Sequence, residues 1–482
     1  MENSQPNILF IVLDGLSSDK FFGEKKTSKT PNIDSWIKQG NYFSQAICSA
    51  PSTIPSVSSI LTSLFPFECV IQDENTFTLN KTIKTLIHYF KEQGYHSYAT
   101  YQNVIYFLGL DKIFSKVDEY HVTSKLWNGL GEKILNDFSS KSFKEPWIHY
   151  LHLYDLHLLS FPIEHQLKEG PKEIHDQSYG KNKYERIVSV MDFWLGKIIS
   201  KVNLDNTLVI ITADHGSETA SYDVELEEYN NTNIKKRIHK PGSTFKLAHK
   251  VITKFPKSFN PLRKKLSNKY TEKIDSKKYD TMKPELERIE NLNISNFRKR
   301  LMKNSAWGIT HVYDERFRVP LLFFGYGISD SKIISQQVRS VDIFPTILDI
   351  AKINFEKKQI QGQSLFPLFK NEKIKELPVL VEGATNAPKF VITNIVGIRT
   401  SSYKYFRDKN NNLSKIHLYD LKNDPFEENN IAKNNPLIVK EMEEILIKMQ
   451  NERGFNYEKS EQILDVDEEK KIEEELRKLG YM

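Results

Sequence analysis

The stretch Asn7-Ile-Leu-Phe-Ile-Val-Leu13, followed directly by Asp14 and Gly15, determines the fold that this sequence predicts. Short, uninterrupted apolar runs rich in β-branched residues are typical of strands buried on both faces of a parallel sheet. Asp14 follows the carboxyl end of the predicted strand, which is where ligands bind in open α/β sheets. The sequence therefore predicts a buried strand that carries an acidic side chain to the functional edge of a sheet.

Similar runs recur along the chain. Leu208–Thr212 is another short run rich in β-branched residues, and Trp147–Leu153 and Val319–Phe324 behave similarly. Helical periodicity lies between these runs, as in Thr82–Gln93 and Tyr184–Val202. Strands that alternate with helices predict an α/β fold with a doubly wound, mostly parallel sheet flanked by helices.

The length of 482 residues suits a large domain and a smaller one. We predict a main domain over residues 1–375, interrupted by a basic insertion at about 221–305. Residues 376–482 form the predicted C-terminal subdomain with a helical tail that includes Glu468–Leu479. Its predicted antiparallel strands are Lys389–Ile398, Tyr403–Phe406 and Ile416–Leu421.

Charge is unevenly distributed. The whole chain has a formal net charge of +6, yet Asn231–Tyr270 contains twelve Lys or Arg and no Asp or Glu, which leaves −6 for the other residues. This segment is either a solvated insertion or a dock for an anionic partner. The anionic partners to consider are acidic lipid headgroups, an acidic glycan and nucleic acid, of which nucleic acid is the least favoured.

Apolar runs and cysteine usage bear on location. No run approaches the roughly 20 apolar residues that cross a bilayer, and Ile8–Leu13 is too short for the core of a secretory signal. The two cysteines, Cys48 and Cys69, imply no disulfide framework and favour a reducing compartment. We expect a cytoplasmic protein that contacts the inner membrane surface peripherally through residues 231–270.

Chemically useful side chains follow the predicted strands. Besides Asp14, His152-Leu-Tyr-Asp155-Leu-His157 follows one strand and Asp214-His215-Gly216 follows another, while Ser52-Thr53 opens a predicted helix. Carboxylates and imidazoles are ligands for divalent cations, and a hydroxyl at a helix start can be activated as a nucleophile. Each segment alone is explained as readily by helix capping or packing. Their joint occurrence at strand ends favours one site.

These segments resemble the sulfatase family, within the alkaline phosphatase superfamily. The opening strand with Asp14 and the pair Asp214-His215 resemble its metal-ligand segments. The helix start resembles its nucleophile signature, Thr53-x-Pro55-Ser56-x-x-Ser59-x-Leu61-Thr62. Further similar segments continue to the C-terminus, for example Gly397-Ile-Arg399-Thr-Ser-Ser-Tyr403-Lys404-Tyr405 and Leu418-Tyr-Asp420. The resemblance therefore covers nearly the whole chain except the basic insertion.

The resemblance implies roles for particular residues. It implies one divalent cation (Mn, Mg, Ca or Zn) held by Asp14, Thr53, Asp214 and His215. A second cation is left open, with Asp155 and His311 as its ligands. Thr53, His157 and His311 are the implied catalytic residues, and His152 and Asn103 the implied substrate-binding residues.

Departures from the family pattern affect the expected chemistry. The family oxidises a Cys or Ser to formylglycine at the position of Thr53 and has Arg at the position of Val57. We therefore expect no formylglycine here. A formylglycine hydrate can expel sulfate by collapsing to an aldehyde, and a sulfated threonine cannot. Displacement of threonine at the phosphorus of a phosphorylated threonine is easier. Gly15 offers no side chain where the family often has a second Asp.

These features predict a hydrolase or transferase of phosphate or sulfate esters that acts through covalent attack by Thr53. One alternative is a sulfate-ester hydrolase that uses threonine directly. An alternative of another class is a catalytically silent protein that binds an anionic glycan or lipid.

The basic segment gives a testable prediction. Each Lys or Arg near an acidic membrane contributes about 1 kcal/mol, and the attraction decays within a Debye length of roughly 8 Å at physiological salt. We expect the full chain to co-sediment with anionic vesicles or an acidic polysaccharide at low salt, to dissociate as salt rises, and to ignore neutral vesicles. A chain lacking residues 231–270 should lose this binding. If it binds as well as the full chain does, the segment is only an insertion.

Overall fold

The computed structural model describes residues 5–72, 77–140, 142–160, 170–237, 283–307, 312–383, 395–409 and 415–451. Its strands, in chain order from β1 to β15, are Asn7–Leu13, Asn41–Ile47, Val70–Gln72, Phe77–Leu79, His96–Gln102, Lys116–Tyr120, Trp147–Leu153, Thr207–Thr212, Arg318–Gly325, Lys332–Ile334, Val338–Arg339, Val379–Glu382, Ile395–Arg399, Tyr403–Asp408 and His417–Asp420. The helices of seven or more residues are Pro31–Ile37, Thr53–Thr62, Leu86–Glu92, Leu130–Ser139, Lys183–Ile199, Val224–Arg237, 283–290, Asn296–Trp307, Ile343–Ile350 and Pro436–Asn451.

The main sheet has the strand order β10-β2-β9-β8-β1-β7-β5-β6, with β11 paired to β2. The predicted α/β class and the mostly parallel sheet are confirmed, and β1 and β7 have the predicted bounds. All seven residues of β1 are buried, as expected for a central strand. Val12 pairs with His152 of β7 on one side and with Thr212 of β8 on the other. Asp14 therefore emerges between the ends of two parallel neighbours.

Strand β9 is buried as its apolar sequence predicts, but it runs antiparallel to both β2 and β8. This direction brings the beginning of β9 to the edge where β8 ends. The Gly216 amide there donates to the Arg316 carbonyl at 2.8 Å. The antiparallel direction thus delivers the segment before β9 to the functional edge.

The second sheet, β12-β13-β14-β15, is antiparallel throughout, which confirms the predicted C-terminal sheet. Its side chains share the main hydrophobic core, for example Val379 and Phe406. Charged groups also connect the two parts, because Asp314 lies 2.7 Å from Arg399 Nη2 and 2.8 Å from the fully buried Lys404 Nζ. The domain boundary near residue 375 stays a prediction.

Part of the insertion forms a small helical cluster around Leu226, Ile289 and Leu301. Most of the basic segment 231–270 lies outside the described residues, as do His311, the tail Glu468–Leu479 and the first part of the predicted strand Lys389–Ile398. Within the described ranges, no helix has the length and apolar character needed to span a bilayer.

Candidate active site

Two buried carboxylates meet at the carboxyl ends of β1 and β8. Asp14 Oδ2 lies 3.2 Å from Thr53 Oγ1 and 3.3 Å from His152 Nε2. Asp214 Oδ1 accepts hydrogen bonds from the amides of Gly15 at 3.1 Å and His215 at 2.8 Å. The other oxygens, Asp14 Oδ1 and Asp214 Oδ2, are buried without a hydrogen-bond partner among the described residues. Each carboxylate thus has one oxygen held by the protein and one oxygen open to a ligand.

The electrostatics of this pair favour a cation. Burial raises the pKa of Asp214, and the negative charge of Asp14 raises it further. Burial also acts to raise the pKa of Asp14, but the His152 hydrogen bond and the neighbouring imidazoles outweigh it and hold the pKa below its usual value. Two buried carboxylates with unpaired oxygens need positive charge nearby. The donor set of carboxylate oxygens, a hydroxyl and imidazole fits a divalent cation.

Thr53 is the first residue of the helix Thr53–Thr62, directly after the extended cap residue Ser52. Its hydroxyl lies 3.3 Å from His215 Nε2 and is almost fully buried. The other ring nitrogen, His215 Nδ1, lies 2.9 Å from the Gly216 carbonyl, which can only accept a hydrogen bond. Nδ1 therefore carries the hydrogen, and the lone pair of Nε2 faces the Thr53 hydroxyl and the carboxylates.

The turn after β1 is held from outside the site. Gly15 has a φ of 72°, in the left-handed region that glycine adopts at little cost. The Tyr184 hydroxyl donates to the Gly15 carbonyl at 2.6 Å and accepts from the Ser17 amide at 2.9 Å. These contacts fix the Gly15 amide that supports Asp214.

His157 follows β7 in a short turn and is half-buried, with its ring centroid 4.2 Å from that of Tyr154. Burial lowers the pKa of His157 to about 4, even though the negative charge of Asp14 opposes the shift. The imidazole is therefore neutral near pH 7. In that form its single N–H can donate a hydrogen bond, but the ring cannot act as a general acid.

Asp155 follows the end of β7 and, like the two carboxylates above, has one buried oxygen, Oδ2, without a hydrogen-bond partner among the described residues. It is buried, and its Oδ1 accepts from the Leu126 amide at 2.9 Å. Among the described residues, the group that could hold a metal ion is Asp14, His152 and Asp214, whose ligand atoms lie within 4.8 Å of one another. The second cation site therefore stays a prediction, as does the substrate contact of Asn103, which begins the turn after β5.

Lys125 is a residue of this region that the sequence analysis missed. It is 1% exposed, and its ammonium donates to the Tyr154 carbonyl at 3.1 Å. Burial lowers the pKa of Lys125 to about 8, while Asp155 and Asp14 act in the opposite direction. The signal that could have revealed it is the strand-end rule, because Lys125 lies five residues beyond the end of β6, which the sequence analysis did not predict.

A buried hydroxyl, a pair of open carboxylate oxygens and an oriented imidazole at strand ends are the groups that a metal-dependent, ester-cleaving centre requires. Comparison with known proteins agrees with this class. The sulfatase family profile matches residues 6–353. The profile of the C-terminal region of N-sulphoglucosamine sulphohydrolase matches residues 306–452. The chain belongs to the sulfatase family.

Individual relatives match over shorter or more distant ranges. Human arylsulfatase K is 33% identical over 149 residues, which are 28% of this chain and 26% of that protein. The chain thus spans about a quarter of the length of the curated relatives it matches. The phosphonate monoester hydrolase of Agrobacterium radiobacter has a TM-score of 0.60 at 14% identity, covering 93% of this chain and 96% of that one. A protein solved with its substrate D-glucosamine-2-N,6-O-disulfate also has a TM-score of 0.60, at 17% identity and 95% and 100% coverage. At these identities, the two structures show a shared fold.

Proposed function

We propose that this protein is a divalent-cation-dependent hydrolase of anionic esters in which the Thr53 hydroxyl is the attacking group. The observation that carries the proposal is the position of Thr53 Oγ1, which lies 3.2 Å from Asp14 Oδ2 and 3.3 Å from His215 Nε2. The sulfatase family is generally dependent on a divalent cation. The open oxygens of Asp14 and Asp214, with His215 Nε2 and Thr53 Oγ1, would hold that cation.

A bound divalent cation would supply Lewis acidity that favours the ionised hydroxyl and neutralises ester oxygens. In the proposed step, Thr53 Oγ forms a bond to phosphorus or sulfur as the bond to the leaving oxygen breaks. The hydroxyl proton passes along its hydrogen bond to Asp14. A protonated side chain donates to the leaving oxygen, and we assign this donation to His311. Water then attacks phosphorus or sulfur of the adduct as the bond to Thr53 Oγ breaks, and the phosphate or sulfate leaves. Thr53 regains its proton from Asp14, and the proton lost by the water restores His311.

Two further side chains suit the binding of an anionic group. His157 is neutral near pH 7, because burial lowers its pKa to about 4, so we assign to it a hydrogen bond to an ester oxygen rather than proton donation. Lys125 brings a buried cationic group to the same region. Both residues would favour a substrate that carries negative charge.

We propose phosphate esters as the first substrate class. A sulfated Thr53 could not expel sulfate by collapsing to an aldehyde, as a formylglycine hydrate does, so sulfate would be released less readily than phosphate. Transfer of the phospho group to another alcohol in place of water would use the same adduct. The second candidate is a sulfate ester on a glycan, which the name of one relative, a Delta 4,5-hexuronate-2-O-sulfatase, supports. We also propose that the basic segment brings such an ester to the enzyme on an anionic glycan or on lipid at the inner membrane surface.

Matched substrates distinguish these candidates. We expect the Mn²⁺-loaded full chain to cleave an aryl phosphodiester or phosphomonoester far faster than the corresponding aryl sulfate. Accurate-mass peptide analysis after an acid quench should find phosphate on Thr53. Faster turnover of the aryl sulfate with sulfated Thr53 would favour the second candidate. No turnover of any ester by a chain that also binds no metal would favour the silent binding protein.

A further inference from the structure

Three buried side chains form a line that ends at the cation site. Tyr150 and His152 lie two residues apart on β7, so both point to the same face of the sheet. The Tyr150 hydroxyl lies 2.8 Å from His152 Nδ1, and His152 Nε2 lies 3.3 Å from Asp14 Oδ2. Tyr150 and His152 have no exposed surface, so solvent does not compete for these contacts.

The direction of these hydrogen bonds follows from their partners. In the part of the chain that the structure describes, the Tyr150 hydroxyl has His152 as its hydrogen-bond partner and no second one. A buried hydroxyl that only accepted would leave its hydrogen unpaired, which is costly, so Tyr150 donates to Nδ1. A neutral imidazole that accepts at Nδ1 carries its hydrogen at Nε2. His152 therefore donates to Asp14.

His215 has the opposite arrangement. A carbonyl oxygen faces its Nδ1 at 2.9 Å, so that nitrogen carries the hydrogen and Nε2 keeps a lone pair. The two histidines at this site thus differ in what Nε2 offers, because His215 presents a lone pair and His152 presents a hydrogen. The protein atoms facing their Nδ1 nitrogens make the difference.

We propose that Tyr150 and His152 are positioning residues that hold Asp14 by Oδ2 and turn Oδ1 toward the cation, and that His152 is not itself a ligand. This proposal rests on the cation site of the proposed function. The competing role is direct ligation, since His152, Asp14 and Asp214 have ligand atoms within 4.8 Å of one another. Ligation by His152 would need its Nε2 lone pair and would therefore require Tyr150 to accept from Nδ1 instead of donating.

The first experiment counts coordinated imidazoles in the wild type and in two variants. Pulsed EPR of the wild-type full chain loaded with Mn²⁺ alone detects nitrogen nuclei bound directly to the ion. We expect one imidazole nitrogen in the wild type, one in His152→Gln and none in His215→Ala. Two coordinated imidazoles in the wild type, or one that persists in His215→Ala, would overturn the proposal. No coordinated imidazole in the wild type would contradict the His215 ligand of the proposed function.

The second experiment measures Mn²⁺ affinity. Removing a group that orients a metal ligand typically costs 10- to 100-fold in affinity. We expect Tyr150→Phe to weaken binding by about 10-fold and His152→Ala by about 100-fold. His152→Gln should lose less than His152→Ala, because an amide hydrogen can replace the Nε2 hydrogen.

Tyr95→Phe is the matched control. The Tyr95 hydroxyl is buried and donates to the Pro6 carbonyl at 2.9 Å, at the opposite end of the sheet. Equal affinities for Tyr150→Phe and Tyr95→Phe would overturn the positioning role. A wild-type chain that binds Mn²⁺ with one imidazole but cleaves no ester would contradict the proposed function alone. Thermal unfolding of each variant checks folding, and the wild-type nitrogen count decides the question of ligation if a variant does not fold.

Discussion

Thr53→Ala is expected to lower ester cleavage by about a thousandfold or more, since loss of an attacking side chain removes most of the rate enhancement in enzymes of this kind. The variant should fold, because Thr53 occupies the first turn of its helix and alanine keeps the β-carbon and has the highest helix propensity. Mn²⁺ binding should persist more weakly through Asp14 and Asp214. No covalent adduct should appear at residue 53 after an acid quench.

Thr53→Ser and Thr62→Ala are its controls. The serine variant keeps the hydroxyl and should retain roughly a tenth to a hundredth of the activity, since only a methyl group is lost. Thr62 lies at the other end of the same helix, is buried, and donates to the Ser58 carbonyl at 2.7 Å. Thr62→Ala should keep near-normal activity. Full activity in Thr53→Ala would point to Ser52 or to direct attack by water.

Asp214→Asn is the second large effect that we expect. The amide can still accept from Gly15 and His215 through its oxygen, but it turns an NH₂ group toward the cation in place of the open Oδ2. Loss of the charge that balances the cation should weaken Mn²⁺ binding by at least about 100-fold and remove most activity. Calorimetric titration with Mn²⁺ and turnover at saturating Mn²⁺ measure the two effects separately.

Asp192→Asn is the matched control for this variant. Asp192 is equally buried, but its carboxylate accepts from the backbone amide of Ile33 at 2.7 Å, in the packing of two helices. This change should affect stability and leave Mn²⁺ affinity unchanged. An Asp214→Asn variant with normal metal stoichiometry and rate would refute the assignment of Asp214.

The sequence was sufficient to predict those parts of the fold and site that depend on local pattern. β1 and β8 read as apolar runs with acidic residues soon after them, and residues following the ends of parallel neighbours must lie close together. This is why Asp14 and Asp214 could be placed at one edge. The antiparallel direction of β9 could not be predicted, because an apolar run reads the same in either direction.

Features that depend on tertiary pairing were also beyond sequence pattern. The half-buried strand β6 has mixed polarity, so neither it nor Lys125 beyond it stood out. Which atom faces each Nδ1 nitrogen is likewise set by the folded chain. The sequence places His152 and His215 after or within strands, but only the neighbouring hydroxyl and carbonyl distinguish a hydrogen-bond donor from a lone-pair donor.

The contact between the C-terminal sheet and Asp314 has a consequence for how this architecture can be recombined. Arg399 and Lys404 belong to β13 and β14, yet the carboxylate they hold lies just before β9, on the segment that β9 delivers to the active-site edge. A graft that replaced the C-terminal sheet alone would leave the partly buried Asp314 without its cations and would loosen that segment. The C-terminal sheet and the segment before β9 must therefore come from the same parent protein in any recombined chain. Homologous crossover points should fall outside the span from Asp314 to Lys404 rather than at its middle.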